Sequence, residues 1–127
     1  MIYESTADTQ EHITKVQQCL DQIICELTIR AAHHDESKLR EPEKSGYDRL
    51  TLALKNVAYG TEMYHVALAE AAPTIAHHYQ HNRHHPEHFP DGIAGMTLID
   101  LIEMLCDWKA ASARTQQGSI APSLAHN

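Results

Sequence analysis

What the chain has little of narrows its class. Glycine and proline number five each in 127 residues, too few for a fibrous repeat or a low-complexity disordered chain. Apolar residues make up 43% and charged residues 21%, so the chain should fold, and its length suits one hydrophobic core rather than two. No apolar run approaches the roughly 20 residues that span a bilayer. The opening "MIYESTADTQEH" is too polar and acidic for a signal peptide. These absences predict a single domain over residues 1–127, cytoplasmic and without a membrane partner. Lysine and arginine are sparse, ten against 17 acids for a formal net charge of −7, and they form no run. Such a chain repels a phosphate backbone, so nucleic acid is not an expected partner. Cysteine is scarce and odd in number. Cys19, Cys25 and Cys106 lie on apolar helical stretches without CxxC spacing, a pattern that predicts reduced core thiols rather than disulfides or a thiolate zinc site.

Strand patterning is nearly missing as well, and helical periodicity takes its place. Ile13, Val16, Leu20, Ile23, Ile24, Leu27 and Ala31 recur at steps of three and four, one apolar stripe at 3.6 residues per turn. Asp8 or Thr9 can cap this first helix, and "HHDESK" ends or turns it. Pro42 and Gly46 mark a connection before a helical stretch that carries Leu50, Leu52, Leu54 and Val57 and stops at Gly60. Thr61 is the expected N-cap of a third helix running to about Pro73, which opens a fourth. Pro90, Gly92 and Gly95 break the chain before a last helix capped by Thr97, and residues 116–127 read as a weakly ordered tail. The expected fold is therefore all-α, a single-domain bundle of about five helices.

One resource is abundant. "HHYQHNRHHPEHF", residues 77–89, holds six of the eleven histidines, and imidazole is the commonest metal ligand. The cluster is interior and interrupted, so it is not a purification tag. On a helix, residues 78, 81 and 85 share one face and 77, 81, 84 and 88 a neighbouring one. An unbroken helix would hold His78 and His85 roughly 10 Å apart. They can serve one compact site only if the chain bends before Pro86, and Pro86 itself drives His85 out of helical angles.

Two other segments offer oxygen ligands. His34 adjoins Asp35 at the end of the first helix, with Lys38 one turn on, suited to an anionic substrate. Asp100, Glu103 and Asp107 fall on one face of the last helix. The first two read as solvated acids favoured by the helix dipole, whereas Asp107 sits late in the helix beside Trp108, where something should compensate it, a cation being one candidate.

The order His, His-Asp, further His, then Asp, with "HDESK" fitting an HDxxK form, resembles the HD-domain superfamily of metal-dependent phosphohydrolases. The blocks "HITKV", "RAAHHDESKL", "YGTEMY", "HHYQHNRHHPEHF" and "GMTLIDLIEMLCDWKAA" resemble, over nearly the whole chain, a family of small helical proteins from bacteria and their phages known only as a domain of unknown function. The superfamily resemblance implies an HD-like bundle with His34, Asp35, His78, His85 and Asp107 as metal ligands. It also implies His12 as the first histidine of the pattern. Geometry objects, because 22 residues of helix would separate His12 from His34 by roughly 33 Å.

Mixed imidazole and carboxylate ligation suits one or two ions of Mn, Fe, Co, Ni or Zn better than Mg or Ca. The expected chemistry is metal-assisted hydrolysis of a small phosphate ester, most naturally a nucleotide. Lys38 or Arg83 would neutralise developing charge, and His84 would move a proton. Two alternatives are a non-catalytic metal-binding protein, whose histidines hold a structural ion or pair across a homo-oligomer interface, and an HD-type di-iron oxygenase.

Overall fold

The computed structural model describes residues 1–114, all helix, turn and connecting loop; the expected tail at 116–127 lies outside the described residues. Five α-helices run in the order α1 (Thr6–His33), α2 (Glu43–Leu54), α3 (Glu62–Glu70), α4 (Ala72–His81) and α5 (Leu98–Ala113). The described residues contain no strand, so the chain is all-α. It divides into two compact units, Met1–Ala32 and a second beginning at His33.

The first unit is essentially α1. No Gly or Pro interrupts its 28 residues, Asp8 stands in its first turn, where a negative charge favours the helix dipole, and the helix continues unbroken through Cys19–Asp21. It begins three residues before the expected Thr9. None of its residues is buried, and Ile13, Val16, Leu20, Ile23 and Ile24 are all exposed. This overturns the expectation of core thiols: Cys19 and Cys25 are free but exposed on this helix, and Cys106 is exposed on α5.

The second unit opens on a turn. Asp35 adopts the left-handed conformation at φ 54°, which a short polar side chain tolerates better than most, and a 3₁₀ turn over Glu36–Leu39 follows. Helix α2 ends at Leu54, short of Gly60, because the chain turns to extended angles at Lys55 and Asn56 takes φ 65°. Thr61 caps α3 by accepting the Tyr64 N–H. Pro73 stands in the first turn of α4, where its missing N–H costs nothing.

Leu50 of α2, Ala67 of α3 and Ala71 form an apolar cluster flanked by Tyr47, Leu54, Leu68 and Ile75, and Met104 of α5 is buried as well. Helices α2 and α4 approach closely at Gly46, where a Cβ would overlap the Thr74 side chain. This core is small. The largest fully buried side chains are His78, His84, Glu43, Asp100 and Ser112, so the unit is filled chiefly by groups that ordinarily stay wet.

Candidate metal centre

Burying an ionisable group is costly unless it is partnered, and Asp100 is fully partnered. Its Oδ1 accepts from Nε of Arg83 at 3.2 Å and its Oδ2 from Nη2 at 3.1 Å. Oδ2 also accepts the Thr97 backbone N–H at 2.9 Å, while Thr97 Oγ1 accepts the Asp100 N–H at 3.2 Å, closing a capping box on α5. The Arg83 guanidinium lies 5.0 Å from the Phe89 ring centroid. The arginine expected at a phosphate is thus committed to a buried carboxylate. The reading of Asp100 and Glu103 as solvated acids is also corrected: Asp100 is 0% exposed and the Glu103 side chain 10%, because the segment after α4 folds against this face of α5.

Two glutamates organise four histidines. Glu43, the first residue of α2, accepts Nδ1–H of His78 on Oε1 and Nδ1–H of His77 on Oε2, both at 2.7 Å. Asn82 Nδ2 also approaches His78 Nδ1, at 3.2 Å, but it has shorter acceptors in Ser37 Oγ at 2.9 Å and the His78 carbonyl at 2.8 Å. Burial alone would raise the Glu43 carboxyl; hydrogen bonds from His77, Ser37 and His78 outweigh it and hold the group below its ordinary range. On α5, Glu103 Oε1 lies 3.0 Å from Nδ1 of His34 and 3.2 Å from Nδ1 of His84.

With their Nδ1 protons directed at carboxylates, His34, His78 and His84 are left with acceptor lone pairs on Nε2. These converge on one another and on two more carboxylates. Asp35 Oδ1 lies 3.3 Å from His78 Nε2 and 3.2 Å from His84 Nε2. His85 Nε2 lies 3.0 Å from His78 Nε2. Asp107 places Oδ1 3.6 Å from His34 Nε2 and Oδ2 3.7 Å from His84 Nε2. Two of these atoms, Asp35 Oδ1 and His84 Nε2, are buried without a hydrogen-bond partner. A cation would satisfy such an acceptor-rich centre.

The spacing fits one. Donors about 2.1 Å from an ion sit about 3.0 Å apart in an octahedral shell and about 3.4 Å apart in a tetrahedral one. Two groups have ligand atoms mutually within 4.8 Å: Asp35, His78, His84 and His85, and a second formed by His34, His84 and Asp107. His84 belongs to both, so its single Nε2 lone pair serves one ion at a time. Charge is suited as well. The Lys38 ammonium lies 2.9 Å from Asp35 Oδ2 and favours the ionised carboxylate that a cation site needs. Burial, helped by His84 and His78, pushes His85 down to about 3, leaving a neutral imidazole with a lone pair.

All five residues expected as ligands, His34, Asp35, His78, His85 and Asp107, enter these groups. The chain bends as they require: α4 stops at His81, Asn82 and His85 are extended, and His78 meets His85 across that bend. Lys38 stands beside Asp35, with its ammonium 4.8 Å from the Tyr47 ring centroid. His84, expected to carry protons, is instead 1% exposed at the junction of both groups. His12 lies on α1 and joins neither group. Glu43 was not picked out from sequence, where its one signal was an acid at a helix start; Glu103 was read there as a solvated acid in the row that holds Asp107, and His77 only as a member of the histidine cluster.

Among the described residues no helix is long and apolar enough to cross a membrane. No curated protein and no solved structure matches the chain. Residues 1–126 match the model of a family of unknown function, DUF5662, and to that family the chain belongs.

Proposed function

We propose that this protein binds a divalent transition metal through His34, Asp35, His78, His84, His85 and Asp107 and hydrolyses a small phosphate ester, a nucleotide being the best-suited class. The observation that carries the reading is the pair of buried, partnerless acceptors Asp35 Oδ1 and His84 Nε2, 3.2 Å apart in a ring of imidazoles. When bound, a divalent ion supplies Lewis acidity and draws the pKa of water toward neutrality. The residues divide the remaining work. Glu43 and Glu103 hold the imidazoles in the ligating tautomer. Lys38, partly exposed beside Asp35, neutralises an incoming phosphate, a role that falls to it because Arg83 is occupied by Asp100. Asp107 would help to hold the ion, and a carboxylate oxygen not used for that could accept a proton. The motif order shared with HD-type phosphohydrolases supports the choice of reaction by analogy alone.

The test is metal analysis by plasma mass spectrometry of untagged, chelator-free protein, followed by phosphate release from a panel of phosphomonoesters and nucleotides with Mn, Fe, Co, Ni or Zn restored. One or two equivalents of metal and release that falls about 100-fold in Lys38→Ala at unchanged metal content fit the proposal. Metal without release from any ester leaves a metal-binding protein and removes the hydrolase. An iron-dependent absorption change on admitting oxygen would redirect the assignment to an oxygenase.

A further inference from the structure

Helix α1 shows a 28-residue amphipathic helix with no buried residue. An isolated helix is marginal in water, and most helical stability comes from packing its apolar face. Within its stripe, Ile13, Val16, Leu20, Ile23 and Leu27 alternate steps of three and four, with Thr9 four residues before them and Ile24 on the flank. That 3.5-residue spacing is the seam spacing of a two-helix coiled coil. Ile13, Val16, Leu20 and Ile23 are exposed on it, by 43%, 43%, 53% and 37%.

We infer that α1 pairs with α1 of a second copy of this chain as an antiparallel coiled coil centred between Val16 and Leu20. Charge selects this arrangement. In the antiparallel register Thr9 faces the partner's Leu27, Ile13 the partner's Ile23 and Val16 the partner's Leu20, six layers with no charged residue. His12, flanking the seam, comes opposite the partner's Glu26, so each chain offers an imidazole to a carboxylate of the other. A parallel pair would set His12 against the partner's Gln17 and Glu26 against the partner's Ala31, with no complementarity. The seam from Thr9 to Leu27 is about 27 Å long at 1.5 Å per residue. Cys19 of each chain falls next to the two-fold axis, where the partner's Cys19 faces it.

Sedimentation equilibrium of the full, reduced chain at tens of micromolar tests the pairing. The expected result is a dimer that becomes a monomer in Leu20→Lys, with loss of the part of the helical circular dichroism that α1 contributes while the remainder is retained. A monomeric parent chain, as when α1 packs elsewhere in its own chain, or a dimer that survives Leu20→Lys, overturns the pairing. Orientation is read in a chain carrying Cys25→Ser and Cys106→Ser. Mild oxidation should link two chains through Cys19, and Cys19→Ser should abolish the link. A Leu20-dependent dimer that does not cross-link at Cys19 overturns the antiparallel register.

Discussion

A single carboxylate oxygen, Oε1 of Glu103, sits 3.0 Å from Nδ1 of His34 and 3.2 Å from Nδ1 of His84. It thereby sets the tautomer of two imidazoles from segments fifty residues apart in sequence. Removing it leaves both rings free to rotate or to carry the proton on the ligating nitrogen. Glu103→Ala should weaken metal binding about 10- to 100-fold, read by competition with a chromophoric chelator, with little change in far-ultraviolet circular dichroism. Affinity equal to the parent's would mean that the rings are oriented by packing alone.

The ion should also stabilise the fold, since its ligands converge only in the native state. At a metal concentration 100 times Kd the gain is about 2.7 kcal/mol, a rise in Tm on the order of 10 °C for a chain of this size. Calorimetry of chelator-stripped protein with and without added Mn, Ni or Zn measures it. His84→Ala and Asp35→Asn should each abolish the rise. If stripped and loaded protein melt together, the convergent lone pairs hold no ion.

Arg83 and Asp100 separate a structural role from a chemical one. Arg83→Ala leaves a 0% exposed carboxylate without its bidentate donor, while the capping bonds to Thr97 persist. Because the arginine is itself 45% exposed, the loss is discounted to about 1–3 kcal/mol in urea denaturation, with metal content unchanged. A variant of parental stability that no longer turns over a phosphate ester would restore Arg83 to the reaction.

Gly46 is where α2 and α4 touch. A Cβ there would overlap the Thr74 hydroxyl and stand 2.6 Å from its Cγ2, so the helices must separate or Thr74 must leave its rotamer. Gly46→Ala should cost about 1–3 kcal/mol despite the higher helix propensity of alanine. The double variant Gly46→Ala, Thr74→Ala should recover part of that loss, and no recovery would mean that the backbone itself cannot adjust.

Alkaline sensitivity has a defined sign at Tyr64. Burial and the neighbouring Tyr59 raise its hydroxyl above the ordinary value of 10.0. The neutral phenol is favoured in the fold, so its contribution is fully present below pH 10 and is lost as pH climbs from there through the folded value. Urea midpoints of metal-free protein between pH 9 and 11 should fall less steeply in Tyr64→Phe than in the parent. Identical slopes would remove Tyr64 as a contributor.

Much of this was legible in the sequence because it depends on local rules. Thr61 and Thr97 announce helix starts, Pro73 marks a first turn, and three-and-four spacing lays out α1 and α5. The adjacency of His34 and Asp35 and the late position of Asp107 single out, before any geometry, residues that the fold brings into the two candidate groups. What could not be read was tertiary. An acid near a helix start is favoured by the dipole whether it faces water or an imidazole, so Glu43 and Glu103 carry no local mark of their partners. Arg83 sits inside the histidine cluster in sequence, yet its fork is claimed by an aspartate seventeen residues on. The cysteines failed for a related reason: apolar periodicity marks the face of a helix, but not which residues along it the fold covers.

The small aliphatic core beside a large polar interior has a consequence for the life of the protein in a cell. With the proposed ion bound, a fold closed by Leu50, Ala67, Ala71 and Met104 and otherwise filled by His78, His84, Glu43 and Asp100 would take part of its resistance to proteases from a trace nutrient. Its abundance should then follow the supply of that nutrient, short-lived under starvation and persistent when replete, so that turnover itself becomes a report of metal status.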